Sequence, residues 1–221
     1  PYGTSWADDK RALGIGPKGA IVDPRFSVGT SRVNDGQLMF VLHMLSKMKE
    51  TELGSRIATI HNGSALFTGD AGQGESEIRK YFISKDLLEA IIALPNDIFY
   101  NTGIPTYIFI FTNRKPEHRI GKVQLINANG DNFYSKMRKP LGSKRNELQK
   151  DHINEITRLY IDFADSEFSK IFNNEDFGFS QITVHRPERD EAGNIVFASK
   201  GKPKSDSKLR DIENIPLTED I

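Results

Sequence analysis

Apolar residues in this chain gather in short runs separated by long polar stretches. Two runs, residues 90–94 and 107–112, are rich in β-branched and aromatic side chains and predict buried strands. The connector between them, residues 95–106, opens with Pro95, which has no N–H to donate to a ladder, and returns through Gly103 and Pro105. It is expected at the carboxyl end of the first strand, where open α/β sheets place their ligands. It carries two adjacent aromatics, Phe99 and Tyr100. The plain alternative is a loop whose aromatics only cover the sheet end.

Leu38, Val41, Leu42, Leu45 and Met48 follow the spacing of a buried helical face. They predict a helix over 35–49, capped by Asn34 or Asp35. Residues 56–61 and 122–128 read as strands, and 177–185 as a late strand. Helices are expected over 75–84, with Ile78, Tyr81 and Phe82 on one face, and over 151–163, with Ile153, Ile156, Tyr160 and Phe163 on one side. Residues 1–34 are crowded with glycine and proline and predict a long loop with one short strand at 20–22. The composition shifts at residue 186. A small hairpin is expected around 192–194, and 199–221 reads as a linker that closes on nothing. No internal repeat is visible. The order of elements predicts an α/β fold, and short connectors between the later strands require at least one antiparallel pairing. Only one half of a doubly wound sheet is accounted for.

Charge balances, with 30 basic and 30 acidic residues, so a nucleic-acid or membrane partner is not implied globally. There is no cysteine, which excludes disulfides and thiolate metal sites and fits a cytoplasmic protein. No secretory signal is visible, and no apolar run nears the ~20 residues that span a bilayer. One region is locally basic: Lys136, Arg138, Lys139, Lys144, Arg145 and Lys150 stand against Glu147 alone. Such a cluster either tracks phosphates or is a solvated loop beside a helix start. Residues 14–19 match G-x-G-x-x-G, and 69–74 are similarly glycine-rich, but neither follows a strand and opens an apolar helix, so neither is read as a phosphate loop. His61 ends a strand with no second histidine at ligand spacing, and no metal site is expected.

Several blocks then occur in a telling order: Asp23-Pro24-Arg25-Phe26, Leu42-His43-Met44-Leu45, Asn62-Gly63-Ser64-Ala65-Leu66-Phe67, Glu77-Ile78-Arg79-Lys80, and the run from Leu94 through Phe99-Tyr100-Asn101-Thr102-Gly103-Ile104-Pro105-Thr106. Lys208-Leu209-Arg210-Asp211 and Glu213-Asn214-Ile215-Pro216-Leu217 follow. Together they resemble the methylation subunit of type I restriction–modification systems, an adenine-N6 DNA methyltransferase family. The resemblance implies the second half of a Rossmann-like methyltransferase sheet with an antiparallel terminal strand and helices on both faces. It also implies S-adenosylmethionine as cofactor, double-stranded DNA as substrate, and a specificity subunit and a restriction (nuclease) subunit as partners.

The catalytic motif of that family is Asn-Pro-Pro-Tyr/Phe, and here the numbering starts with Pro1-Tyr2. By resemblance Pro1 and Tyr2 are catalytic, with Tyr2 stacking on the extruded base. Phe99 or Tyr100 forms a second wall, and Phe40 touches the cofactor's adenine unless it is plain core. Residues 1–185 are expected to form a partial catalytic domain carrying the target-base half, and 186–221 a hairpin and linker toward a further C-terminal part. With the Asn-Pro and the glycine-rich cofactor turn absent from this chain, it is expected to be inactive alone. Two other readings remain: a non-catalytic module binding DNA or a partner subunit through 136–150, and a nucleotide-binding domain using residues 14–19.

Overall fold

A computed structural model describes residues 4–14, 23–198 and 201–217 of the chain. In chain order the elements are α1 (Ala7–Ala12), α2 (Gln37–Leu45), β1 (Arg56–Asn62), α3 (Ser64–Phe67), α4 (Gly74–Ser84), β2 (Leu88–Leu94), β3 (Thr106–Thr112), β4 (Lys122–Asn127), β5 (Ser135–Leu141), β6 (Lys144–Glu147), α5 (Lys150–Asp162), β7 (Ser169–Asn173), β8 (Phe179–Val184) and β9 (Asp211–Pro216). They divide into two compact units, Pro1–Asn174 and Glu175–Ile221.

The first unit is built on a five-stranded sheet of order β1-β3-β2-β4-β7. The two runs singled out by their side chains, β2 and β3, lie at its centre and pair antiparallel. β3 also runs antiparallel to β1, β4 lies parallel to β2, and β7 antiparallel to β4. Alternation along the strands sends side chains to two covered faces. On one, Ala90, Ile92 and Leu94 of β2, Ile110 of β3 and Ile126 of β4 pack with Ile156 and Leu159 of α5 and with Phe133. On the other, Phe111 of β3 meets Phe82 of α4 edge-on, with ring centroids 5.0 Å apart. Leu38, Val41 and Leu42 of α2 and Ile78 of α4 are buried as well. Helices thus cover both faces of a mixed sheet, as expected.

Boundaries moved where polar side chains had better partners. The α2 helix starts after Gly36, not at Asp35: its N-cap is a glycine with no side chain to offer, and the Asp35 carboxylate bonds Gln37 and Ser64. The basic region after Asn129 is a hairpin, β5–β6, not an irregular loop. β7 was not anticipated: it is a short edge strand with two apolar residues, Ile171 and Phe172. The strand expected at 20–22 lies outside the described residues. Within 199–221, the described residues do not form an unclosed linker, because β9 pairs with the whole of β8, from Phe179↔Pro216 to Val184↔Asp211.

Between β8 and β9 the backbone repeats at a step of eight residues that the side chains do not betray. Glu188 N–H donates to Lys204 O (2.7 Å), Val196 N–H to Glu188 O (2.9 Å), and Lys204 N–H to Val196 O (2.8 Å), which closes a triangle. The turn bond from Gly193 N–H to Asp190 O recurs from Gly201 to Ala198 and from Leu209 to Asp206. The bond from Asp190 N–H to Asn194 O recurs from Ala198 to Lys202, and the third copy, from Asp206, returns to Arg186 O at 2.9 Å. The bridges Arg189↔Ile195, Phe197↔Pro203 and Pro187↔Ser205 follow the same step. Gly193 and Gly201 take the left-handed conformation in the first two turns, at φ 84° and 72°.

Candidate functional site

β1, β2 and β4 point the same way, so Asn62, Leu94 and Asn127 end on one edge of the sheet. A cleft of about 570 Å³ opens at this edge, beside the end of β1. Its polar wall is Arg32, Asp35, Asn62 and Ser64, and its apolar wall is Phe67, Ile104 and Tyr107. Ile104 and Pro105 lie near the end of the predicted connector, so that end lines the cleft, whereas Phe99 and Tyr100 are not among its lining residues.

A buried amide organises the polar wall. Gln37 is 1% exposed. Its Nε2, with two hydrogens to give, lies within hydrogen-bond distance of Asp35 Oδ2 (3.0 Å), Asn62 Oδ1 (2.8 Å) and Ser64 Oγ (2.7 Å). Its Oε1 accepts from the Asn62 N–H (3.2 Å) and lies 3.1 Å from His61 Nδ1. Since that oxygen is an acceptor, His61 Nδ1 carries the proton. Burial pushes the imidazole down to about 4, against the weaker pull of Asp35, so it is neutral at neutral pH. A flat heteroaromatic ligand matches this cleft: rings on one wall, donors and acceptors on the other.

The connector is a rigid hook. Asp97 is held left-handed at φ 58°. Gly103 passes so close that a Cβ there would lie 2.6 Å from Asp97 Oδ1. Phe99 and Thr102 form an isolated bridge across the tip. The two aromatics part company there. Phe99 is half-buried and leans on the α5-side core, whereas Tyr100 is 58% exposed.

The basic hairpin is docked on this hook. Ser143 N–H donates to Tyr100 O (2.9 Å), and the N–H groups of Arg145 and Asn146 both donate to Asp97 O, at 2.8 and 3.0 Å. The Asn146 side chain, 8% exposed, donates to Asn96 O at 2.9 Å. Lys144 Nζ lies 5.2 Å from the centre of the Tyr100 ring. Lys136, Arg138, Lys139 and Arg145 are exposed on the same hairpin. Two sequence features, the aromatic connector and the basic cluster, are therefore one assembly.

Phe40 stands apart from both. It is on α2 and 46% exposed, in a second, mostly apolar cleft of about 270 Å³ with Trp6, Leu13, Phe26, Met39 and His43. Arg25 bridges the rim, bonding His43 Nδ1 at 2.8 Å and holding the Asp23 carboxyl down at about 2 through its side-chain hydrogen bonds. Trp6 anchors this corner through Nε1–H to Arg32 O at 2.9 Å. Pro1 and Tyr2 lie outside the described residues, as does most of the 14–19 loop.

Sequence reasoning missed Gln37, Asp35, Ser64 and Asn146. A glutamine inside an otherwise apolar helical stripe, and an Asn-Gly-Ser turn at a strand end, were the available signals. Asn146 had none, since its role depends on a contact fifty residues back in the chain, at Asn96. Among the described residues no helix is long and apolar enough to cross a membrane, and no group of three or more His, Asp or Glu side chains is placed to hold a metal ion.

Residues 1–185 match the model of the N-6 DNA Methylase family. Type I restriction enzyme methylase subunits of Methanocaldococcus jannaschii are similar. The MjaVIII subunit is 39% identical over 116 residues, covering 52% of this chain and 19% of its own length. The MjaIX subunit is 30% identical over 167 residues, covering 73% and 27%. The chain thus spans about a fifth to a quarter of these relatives. The solved type I restriction–modification methyltransferase subunit of Streptococcus thermophilus superposes with a TM-score of 0.62 at 26% identity, covering 80% of this chain and 33% of that one.

Proposed function

The chain belongs to the N-6 DNA methylase family, and on that premise we propose that it supplies the target-base side of an adenine-N6 methyl-transfer site in a type I restriction–modification methylation subunit. The observation that carries this reading is the hook at the carboxyl edge: its Ile104 and Pro105 line the cleft, and a few residues earlier the same hook presents Tyr100 to solvent.

An adenine N6 lone pair is delocalised into its ring and attacks poorly. A site for it must accept the N6 hydrogens, hold the base flat, and keep it out of the duplex. In our reading Pro1 and Tyr2 belong to the accepting and stacking group, and Tyr100 is the opposing wall. Its exposure favours it over Phe99, whose ring is spent on the core. The Arg32, Asp35, Asn62 and Ser64 wall supplies donors and acceptors beside the hook.

The family implies S-adenosylmethionine, which supplies an electrophilic methyl group when bound. The Phe40 cleft suits its adenine: aromatic faces of Trp6, Phe26 and Phe40 with few polar groups between them. We place Phe40 there as a stacking contact. The exposed cations Lys136, Arg138, Lys139 and Arg145, with the half-buried Lys144, are read as a phosphate-tracking surface for double-stranded DNA. Choice of sequence and cleavage are left to specificity and restriction subunits, in the cytoplasm.

Two assays on the 221-residue chain test this reading. It should bind duplex DNA with an affinity that falls as salt rises, and replacing Lys144 or Arg145 by Ala should each reduce the logarithmic salt slope by about 1. It should transfer no labelled methyl group to DNA. Absence of binding at low salt would remove the DNA-facing surface. Methyl transfer by the chain alone would overturn its assigned half-site character, and a nucleotide affinity that drops in Gly16→Val would favour the nucleotide-binding alternative.

A further inference from the structure

Four hydrogen bonds join the basic hairpin to the hook, and all run the same way: the hairpin donates and the hook accepts. The donors are the Ser143, Arg145 and Asn146 N–H groups and Asn146 Nδ2, and the acceptors are the carbonyls of Tyr100, Asp97 and Asn96. Two of the four come from Asn146, the one buried residue of a charged and mostly exposed hairpin. At the other end of the interface Gly142, at φ 62°, lets the hairpin tip reach the Tyr100 carbonyl, where a Cβ would stand 2.8 Å from the oxygen.

From this geometry we infer that Asn146 is a positioning residue that couples phosphate contact to the placement of Tyr100. The inference rests on the DNA reading above. The cations of the hairpin project to solvent and fix where the hairpin sits on a phosphate backbone. The opposite edge of β6 is bonded to the hook rather than to water. Asp97 is left-handed, an unfavourable state for a residue with a Cβ, and its carbonyl receives two N–H groups from the hairpin. The hook's shape is therefore set from the hairpin side. Lys144 extends the link to the ring itself, since its ammonium lies over the Tyr100 face only while the hairpin is seated on the hook. A duplex gripped by the hairpin consequently changes the surroundings of Tyr100 before any base leaves the stack. Without Asn146 the grip remains and the message does not arrive.

The test uses the chain with its tyrosines replaced by 3-fluorotyrosine, and the Tyr100 resonance assigned from Tyr100→Phe. A short DNA duplex is titrated while binding is followed by fluorescence anisotropy. In the parent chain the Tyr100 resonance should shift with the same midpoint as binding. In Asn146→Leu, which keeps bulk but cannot donate, affinity should stay within about twofold because every phosphate-contacting cation is intact, and the Tyr100 shift should vanish. Gly142→Ala, which pries the hairpin from the hook at its other end, should behave in the same way. The remaining tyrosine resonances report that each variant is folded. A merely structural role for Asn146 would lower affinity and shift together, and that result overturns the inference, as does a full Tyr100 shift in both variants. A duplex that binds the parent chain without moving Tyr100 overturns the inference and leaves the DNA reading standing. No binding at all overturns both.

Discussion

The sheet unit and the eight-residue triangle between β8 and β9 solve the same problem by opposite means. The sheet is held by what its side chains exclude from water: Phe82, Phe109, Phe111, Ile126 and Phe133 are almost wholly buried. The triangle buries almost nothing, and Phe197 is 60% exposed. Its order comes from a closed circuit of backbone hydrogen bonds and two left-handed glycines. Burial gives free energy in proportion to area. A hydrogen-bond circuit adds little net stability per bond but specifies geometry sharply, because a missing partner is costly. The two regions should respond to different perturbations.

The largest effect is expected from Phe111→Ala, which empties a fully buried site against Phe82 and should cost about 3–5 kcal/mol. Urea unfolding followed by the fluorescence of Trp6, the sole tryptophan, measures it. Hydrogen exchange at the triangle's amides should stay unchanged. A parallel loss there would erase the distinction between the regions.

His61 is next, a polar group inside the region built on burial. Its folded value of about 4 lies below the ordinary 6.5. Between these values the unfolded chain holds the proton and the folded one does not. The stabilising contribution is therefore complete above pH 6.5 and fades as pH falls toward 4, by about 3 kcal/mol in all. The decline between pH 6.5 and 5, where carboxylates are still ionised, should disappear in His61→Phe when stability is measured across that range.

The smallest effect sharpens the contrast most. Gly193 and Gly201 both have positive φ, and a Cβ at either would meet nothing within 4 Å. Substituting Ala at either should cost only the conformational term, about 1 kcal/mol. The two costs should match, since the residues hold equivalent places in the repeat. Amide exchange at Glu188, Val196 and Lys204 reads both. A twofold disparity would mean the repeat is geometric only.

The same contrast explains what could be read in advance. β2 and β3 were legible because burial leaves a chemical trace, a run such as Tyr107-Ile108-Phe109-Ile110-Phe111. The helix over α4 was legible through Ile78 and Phe82 for the same reason. The triangle was not, since its equivalent corners are Glu188, Val196 and Lys204, three side chains with nothing in common. β7 carried too few apolar residues to register. At the site, the aromatic hook and the basic cluster were each visible in sequence, but their union was not. It rests on main-chain carbonyls of Asn96, Asp97 and Tyr100, and every residue type has a carbonyl. Gln37 was hidden for a related reason: a buried amide inside an apolar stripe has meaning only once Asn62 and Ser64 are known to face it.

Because the last donor of the circuit turns back to Arg186 O, the stretch from Arg186 to Asp206 leaves the β8–β9 ladder and rejoins it at nearly the same point in space. A segment whose entrance and exit coincide places no tension on its host. It could be excised, lengthened by another eight-residue step, or transplanted into an unrelated hairpin, and the strands on either side would keep their register.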